Sequence, residues 1–169
     1  MARTISVGEQ NFSTIRERNC FLVDKTMLIK DWWENEDSVT LITRPRRFGK
    51  TLNMDMLDCF FSTGYANRSD LFEGLKIWEY EEYRKLQGTY PVISLSFAKL
   101  KNDSLSGMQE RMSDIFGSLY IRYSDMVEKS TAIPEKMKEK FDSICGKLNK
   151  GNSGNTVTDA ISYLCEVLF

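Results

Sequence analysis

Apolar positions recur along this chain at two different spacings, and the changes of spacing divide it into elements. Phe21-Leu22-Val23 is a short apolar run followed by Asp24, a good helix N-cap. From Lys25 to about Glu34, Met27, Leu28, Trp32 and Trp33 suit one helix face, and Asn35-Glu36-Asp37-Ser38 reads as a turn. Val39-Thr40-Leu41-Ile42-Thr43 is short, apolar and β-branched, the composition of a buried strand, and Pro45 cannot continue it. From Lys50 the spacing turns helical, with Leu52, Met56, Leu57, Phe60 and Phe61 on one face and Gly64 as a stop. Short helical pieces are expected over residues 69–75 and 79–86. Pro91-Val92-Ile93-Ser94-Leu95-Ser96-Phe97 reads as a second strand, with Pro91 tolerable at its first position. Three helices close the chain, marked by Leu105, Met112, Phe116 and Tyr123, by Met137, Phe141 and Leu148, and by Val157, Ile161 and Leu168.

An order of strand, helix, strand, helix predicts an α/β fold with a parallel sheet flanked by helices, because parallel neighbours need helical crossovers. The expected division is a nucleotide-binding core over residues 1–100, with an N-terminal lead over 1–35, and a helical continuation of the same domain over 101–169.

Composition narrows the chemistry. The chain has 169 residues, 41% hydrophobic and 28% charged, with a net charge of −1, so any anion site must be local rather than part of a general positive field. It contains no histidine, which removes Ser–His and Cys–His triads and histidine zinc sites. No apolar run reaches the ~18 residues of a membrane helix, and Cys20, Cys59, Cys145 and Cys165 show neither CxxC pairs nor disulfide-like spacing. These features predict a cytoplasmic protein with reduced thiols, independent of membranes.

The informative segment joins the first predicted strand to the helix after it, through Arg44-Pro45-Arg46-Arg47-Phe48-Gly49-Lys50-Thr51. A loop there can turn successive backbone N–H groups inward as an anion nest, and the new helix aims its positive end at the same spot. A Lys at the loop's end reaches β- and γ-phosphates, and the following Thr offers its hydroxyl to Mg²⁺. The candidate nucleotide-binding residues are Arg44, Arg46, Arg47, Phe48, Gly49, Lys50, Thr51 and Leu52, with Lys50 as the catalytic cation and Thr51 as the metal ligand. The pattern GxxxxGK[ST] asks for glycine where Arg44 stands. Arginine does not take positive φ cheaply, so the loop is expected to begin differently from the usual one. Arg44, Arg46 and Arg47 either contact phosphate or a partner's acidic patch, or are solvated loop arginines.

The strings FSTIRERNCFLVDKTMLIK over residues 12–30, VTLITRPRRFGKTLNMDML over 39–57, LFEGL over 71–75 and YPVISLSF over 90–97 resemble the bacterial AAA-ATPase-like family of STAND/AAA+ P-loop ATPases. An arginine at the first-glycine position is typical of that family. The resemblance implies binding of ATP and Mg²⁺ with Lys50 and Thr51 in the Walker A roles, and in longer chains a nuclease-like region of the PD-(D/E)XK kind. Asp24 and Lys25 match the family's VDKT element; an N-cap suits Asp24, and Lys25 receives no role.

Such ATPases carry a second acidic motif, the Walker B strand, which holds Mg²⁺ and positions water. No predicted strand here ends in an acid. The chain is therefore expected to stop before that strand, to bind ATP without hydrolysing it alone, and to associate with a partner or with itself through unpaired strands. Two other readings stand beside an ATPase portion. One is a non-catalytic nucleotide- or phosphate-binding interaction module, and the other is nucleic-acid binding through residues 44–47.

Overall fold

The computed structural model describes residues 4–45, 47–98, 100–150 and 154–169. They form two compact units, Met1–Val92 and Ile93–Phe169. The first contains α1 (Phe12–Glu17), α2 (Met27–Asn35), α3 (Lys50–Phe61) and α4 (Glu81–Leu86), with 3₁₀ turns at Thr63–Tyr65, Ser69–Leu71 and Lys76–Glu79. The second contains α5 (Leu105–Lys129), α6 (Glu135–Asn149) and α7 (Gly154–Leu168).

Helix α1 has a local cause: the Asn11 side chain accepts the Thr14 N–H at 2.9 Å, which satisfies a first-turn donor that would otherwise lack a partner. Its apolar residues Phe12 and Ile15 are three apart and both are buried, against α3 and the turn at Ser69–Leu71. The core they enter is aromatic. Phe72 stacks on Phe12 at 5.2 Å and meets Phe60 edge-on at 5.0 Å, while Trp33 stacks on Phe61 at 5.5 Å. Each such ring contributes about 1.5–3 kcal/mol by burial, and the edge-on and offset geometries add to it.

In the second unit α5, α6 and α7 pack pairwise into a three-helix bundle. Tyr120 stacks on Phe141 at 4.6 Å and donates its hydroxyl to the Ala160 carbonyl at 2.7 Å, so one buried side chain ties α5 to both neighbours. Ile93 and Leu95 pack against this bundle's core as partly buried residues.

The structure overturns the predicted parallel sheet. Among the described residues there is no β-strand. The nearest approach to one is an isolated parallel bridge between Ser62 and Tyr90. That bridge belongs to a short zipper at the end of α3, where Gly88 N–H donates to Phe60, Tyr90 N–H to Phe61 and Thr63 N–H to Tyr90 at 2.8–2.9 Å. Gly88 makes the approach feasible. Its φ is +70°, and a Cβ there would lie 2.3 Å from Ala66 Cα, so only glycine fits. Residues 39–43 form no strand, with Val39 86% and Leu41 82% exposed. A parallel strand is apolar because it is covered on both faces. This segment has the composition without the cover, since strand propensity measures fit to a pleated neighbour rather than a backbone preference. Residues 91–97 likewise form no strand. The predicted helices do form, at Met27–Asn35, Lys50–Phe61 and the three spans of the second unit. No described helix is long and apolar enough to cross a membrane.

Candidate functional site

Helix α3 opens the site. Its N-cap is Gly49 with φ +75°, no side chain caps it, and no acidic residue lies in its first turn. The first helical bond runs from Asn53 N–H to the Gly49 carbonyl at 2.9 Å, so the N–H groups of the preceding turn have no helical acceptor. An uncapped N-terminus of a 12-residue helix projects a positive dipole end with free donors. The loop before it is closed by Lys50, whose Nζ donates to the Arg44 carbonyl at 2.6 Å. Arg47 holds φ +71°, a left-handed conformation that arginine adopts only at a cost of about 1 kcal/mol. Strain of this kind persists where the surroundings fix it, and it clusters at ligand clamps.

The segment before α2 supplies a second wall. The Asp24 carboxylate accepts from Thr26 N–H at 2.9 Å, Thr26 hydroxyl at 2.7 Å and Lys76 N–H at 2.8 Å. Thr26, fully buried, in turn accepts the Ile77 N–H at 3.2 Å. Burial pushes the Asp24 carboxyl up, but the hydrogen bonds from Thr26 and Lys76 outweigh it and leave the group below its ordinary value. Thr26, rather than Asp24, occupies the N-cap position of α2. Asp24 instead fastens the chain just before α2 to the Lys76–Glu79 turn.

Two cavities flank the loop. One, of ≈ 350 Å³, lies between the N-terminal segment and α3 and is lined by Glu9, Phe12, Lys25, Arg47, Gly49 and Leu52 among others. The other, of ≈ 240 Å³, is lined by Lys25, Leu28, Arg44, Phe48 and Asn53. Of the residues expected from sequence, Arg47, Phe48, Gly49 and Leu52 border the first cavity, and Arg44 and Phe48 border the second. Lys50 and Thr51 are exposed on the first turn of α3. Arg46 lies outside the described residues. Lys25, given no role from sequence, lines both cavities; the VDKT string was the signal that could have singled it out.

Two neighbouring groups are excluded from chemistry by their surroundings. The Cys59 thiol is pushed up to about 12 by burial and by the nearby Asp55 carboxylate, so it does not ionise near neutrality. Asp55 is spent on structure, accepting the Phe12 N–H at 2.6 Å and so pinning the start of α1 to α3. All four cysteines are free, and among the described residues no group of three or more acidic, cysteine or histidine side chains could hold a metal ion.

The uncharacterized protein in the vnfD 5′ region of Azotobacter chroococcum mcd 1 is 32% identical over 96 residues, a match covering 56% of this chain and 17% of that protein. The chain therefore spans only a small part of the relative's length. No solved structure matches the chain. The family model described as predicted AAA-ATPase matches residues 6–158, a span that contains the loop, both cavity walls and most of the second unit. By that match the chain belongs to the AAA-ATPase-like family.

Proposed function

We propose that this chain binds ATP together with Mg²⁺ at the turn formed by residues 44–51. The observation that carries the reading is the loop closed by Lys50 on the Arg44 carbonyl, at the uncapped start of α3, with Gly49 in the left-handed region. Unpaired N–H groups and a helix dipole attract a phosphate chain, and Lys50 can exchange its carbonyl partner for phosphate oxygens as the ligand arrives. Membership of a family of predicted AAA-ATPases supports the same ligand.

The residues present accommodate Mg²⁺ in a limited way. The exposed Thr51 hydroxyl is one oxygen ligand on the first turn of α3, and nucleotide phosphates and water would complete the shell, as this ion commonly requires. The ion, when bound, would neutralise phosphate charge. The residues named here bind and orient the nucleotide; none is assigned to activating water.

Calorimetric titration of ATP with Mg²⁺ into wild type and Lys50→Ala tests the reading. Removing one charge-assisted contact should weaken binding on the order of ten- to a hundredfold. The exposed Lys50 side chain should leave the unfolding midpoint nearly unchanged. Equal affinity in the two proteins, or no ATP binding by wild type, overturns the assignment.

A further inference from the structure

Lys25 is the cation in the first unit whose position the proposed ATP site leaves unexplained. It lies between Asp24 and Thr26, which are hydrogen-bonded to each other and are fastened to the Lys76–Glu79 turn by two further bonds, Lys76 N–H to Asp24 and Ile77 N–H to the Thr26 hydroxyl. It projects toward the loop: Lys25 Nζ lies 3.7 Å from the point where a Cβ on Gly49 would stand.

Positive groups outnumber negative ones at that point. The start of α3 carries the positive end of the helix dipole and has no acidic residue in its first turn. Arg44 and Arg47 border the same two cavities. Glu9 also lines the larger one, but its carboxylate accepts the Gln10 and Asn11 N–H groups at 3.0 Å each. Among the described residues Lys25 pairs with no carboxylate, whereas Lys50 already has the Arg44 carbonyl. Lys25 is exposed, and an ammonium beside other positive groups offers an incoming anion a favourable site.

We propose that Lys25 is a second phosphate-binding residue of the ATP site, held in place by the Asp24–Thr26 clamp and reaching the phosphate chain alongside Gly49. The inference rests on the ATP reading and adds to it a contact from the N-terminal segment. It assigns the DKT string a division of labour: Asp24 and Thr26 position, and Lys25 binds. Lys25 borders both cavities together with Phe48, so a phosphate chain passing the loop from one cavity to the other meets its ammonium.

The test uses the 169-residue chain and two probes, ATP and inorganic tripolyphosphate, titrated into wild type, Lys25→Ala, Lys25→Arg and Lys50→Ala. Lys25→Ala should lose on the order of ten- to a hundredfold in affinity for both probes. Lys25→Arg should recover most of it, and the unfolding midpoint of every Lys25 variant should match wild type. A structural role would lower the midpoint and would not be rescued by charge. If Lys50→Ala loses ATP while Lys25→Ala keeps wild-type affinity, the Lys25 assignment falls and the ATP site stands. If wild type binds neither probe, both fall together.

Discussion

Replacing Asp24 with alanine removes the acceptor of three hydrogen bonds at 2.7–2.9 Å and leaves the Thr26 and Lys76 N–H groups to find other partners. Hydrogen bonds to a charged group contribute about 1.5–3 kcal/mol each, but contributions sharing one acceptor do not add. Asp24 is only half-buried, so water can replace part of what is lost, whereas the buried Thr26 cannot be rehydrated. The expected loss for Asp24→Ala is about 2–4 kcal/mol, with Asp24→Asn intermediate because one amide oxygen remains to accept. Urea unfolding followed by tryptophan fluorescence measures it cleanly, since the chain's three tryptophans, Trp32, Trp33 and Trp78, all lie within Met1–Val92. With a slope of ~2 kcal/mol per molar urea, the midpoint should fall by roughly 1–2 M. The pH dependence is a second check. Because the folded Asp24 carboxyl lies below its ordinary value of 3.8, its stabilisation is present above that value and is lost as pH falls through the lower folded one. The gap between wild type and Asp24→Ala should hold from pH 7 to about 5 and close below pH 3.8. A loss under ~0.5 kcal/mol at pH 7, the size of an ordinary surface substitution, would refute the clamp.

Leu41→Lys should change stability by no more than ~0.5 kcal/mol in the same assay, because Leu41 is 82% exposed; a loss of several kcal/mol would restore a covered strand over residues 39–43. Asp55→Asn should gain on wild type as pH rises from 4 to 7. Burial holds the folded Asp55 carboxyl above its ordinary value, so its favourable contribution is complete at low pH and is lost as pH rises through the folded value, while an amide still accepts the Phe12 N–H. A gap that stays constant, or moves toward wild type, would contradict that assignment.

What could be read from the sequence was whatever depends on neighbours a few residues away. The helical spacing of Met56, Phe60 and Phe61 is a local property, and α3 begins at Lys50 as that spacing predicts. Gly49 takes the left-handed φ that a loop-to-helix turn needs, so Gly49-Lys50-Thr51 stands where expected. Residues 39–43 failed for the opposite reason. Their β-branched composition records compatibility with a sheet, and whether a neighbour covers them is decided far away in the chain. Helix α1 was missed because only six residues long, with two buried, it offers too little periodicity to detect. Lys25 received no role for a third reason: the VDKT string marked it, but its proximity to Gly49 joins positions 24 residues apart, and no spacing rule encodes that.

The same contrast bears on the arginine that stands where the phosphate-loop pattern asks for glycine. Glycine is required only where the backbone takes positive φ or comes too close for a Cβ. Along residues 44–49 the described positive φ values fall on Arg47 and Gly49, and Arg44 has none. Arg44 contributes through its carbonyl, which accepts from Lys50, and a carbonyl is indifferent to the side chain that bears it. The departure at Arg44 therefore brings no left-handed backbone with it; the described non-glycine residue in that region is Arg47. With no paired strand among the described residues before it, the loop is held by the Lys50–Arg44 bond behind and by α3 ahead. The loop is thus fixed at its own ends, and the segment it faces across the cavities is fixed separately, by the hydrogen bonds of Asp24 and Thr26 to the Lys76–Glu79 turn.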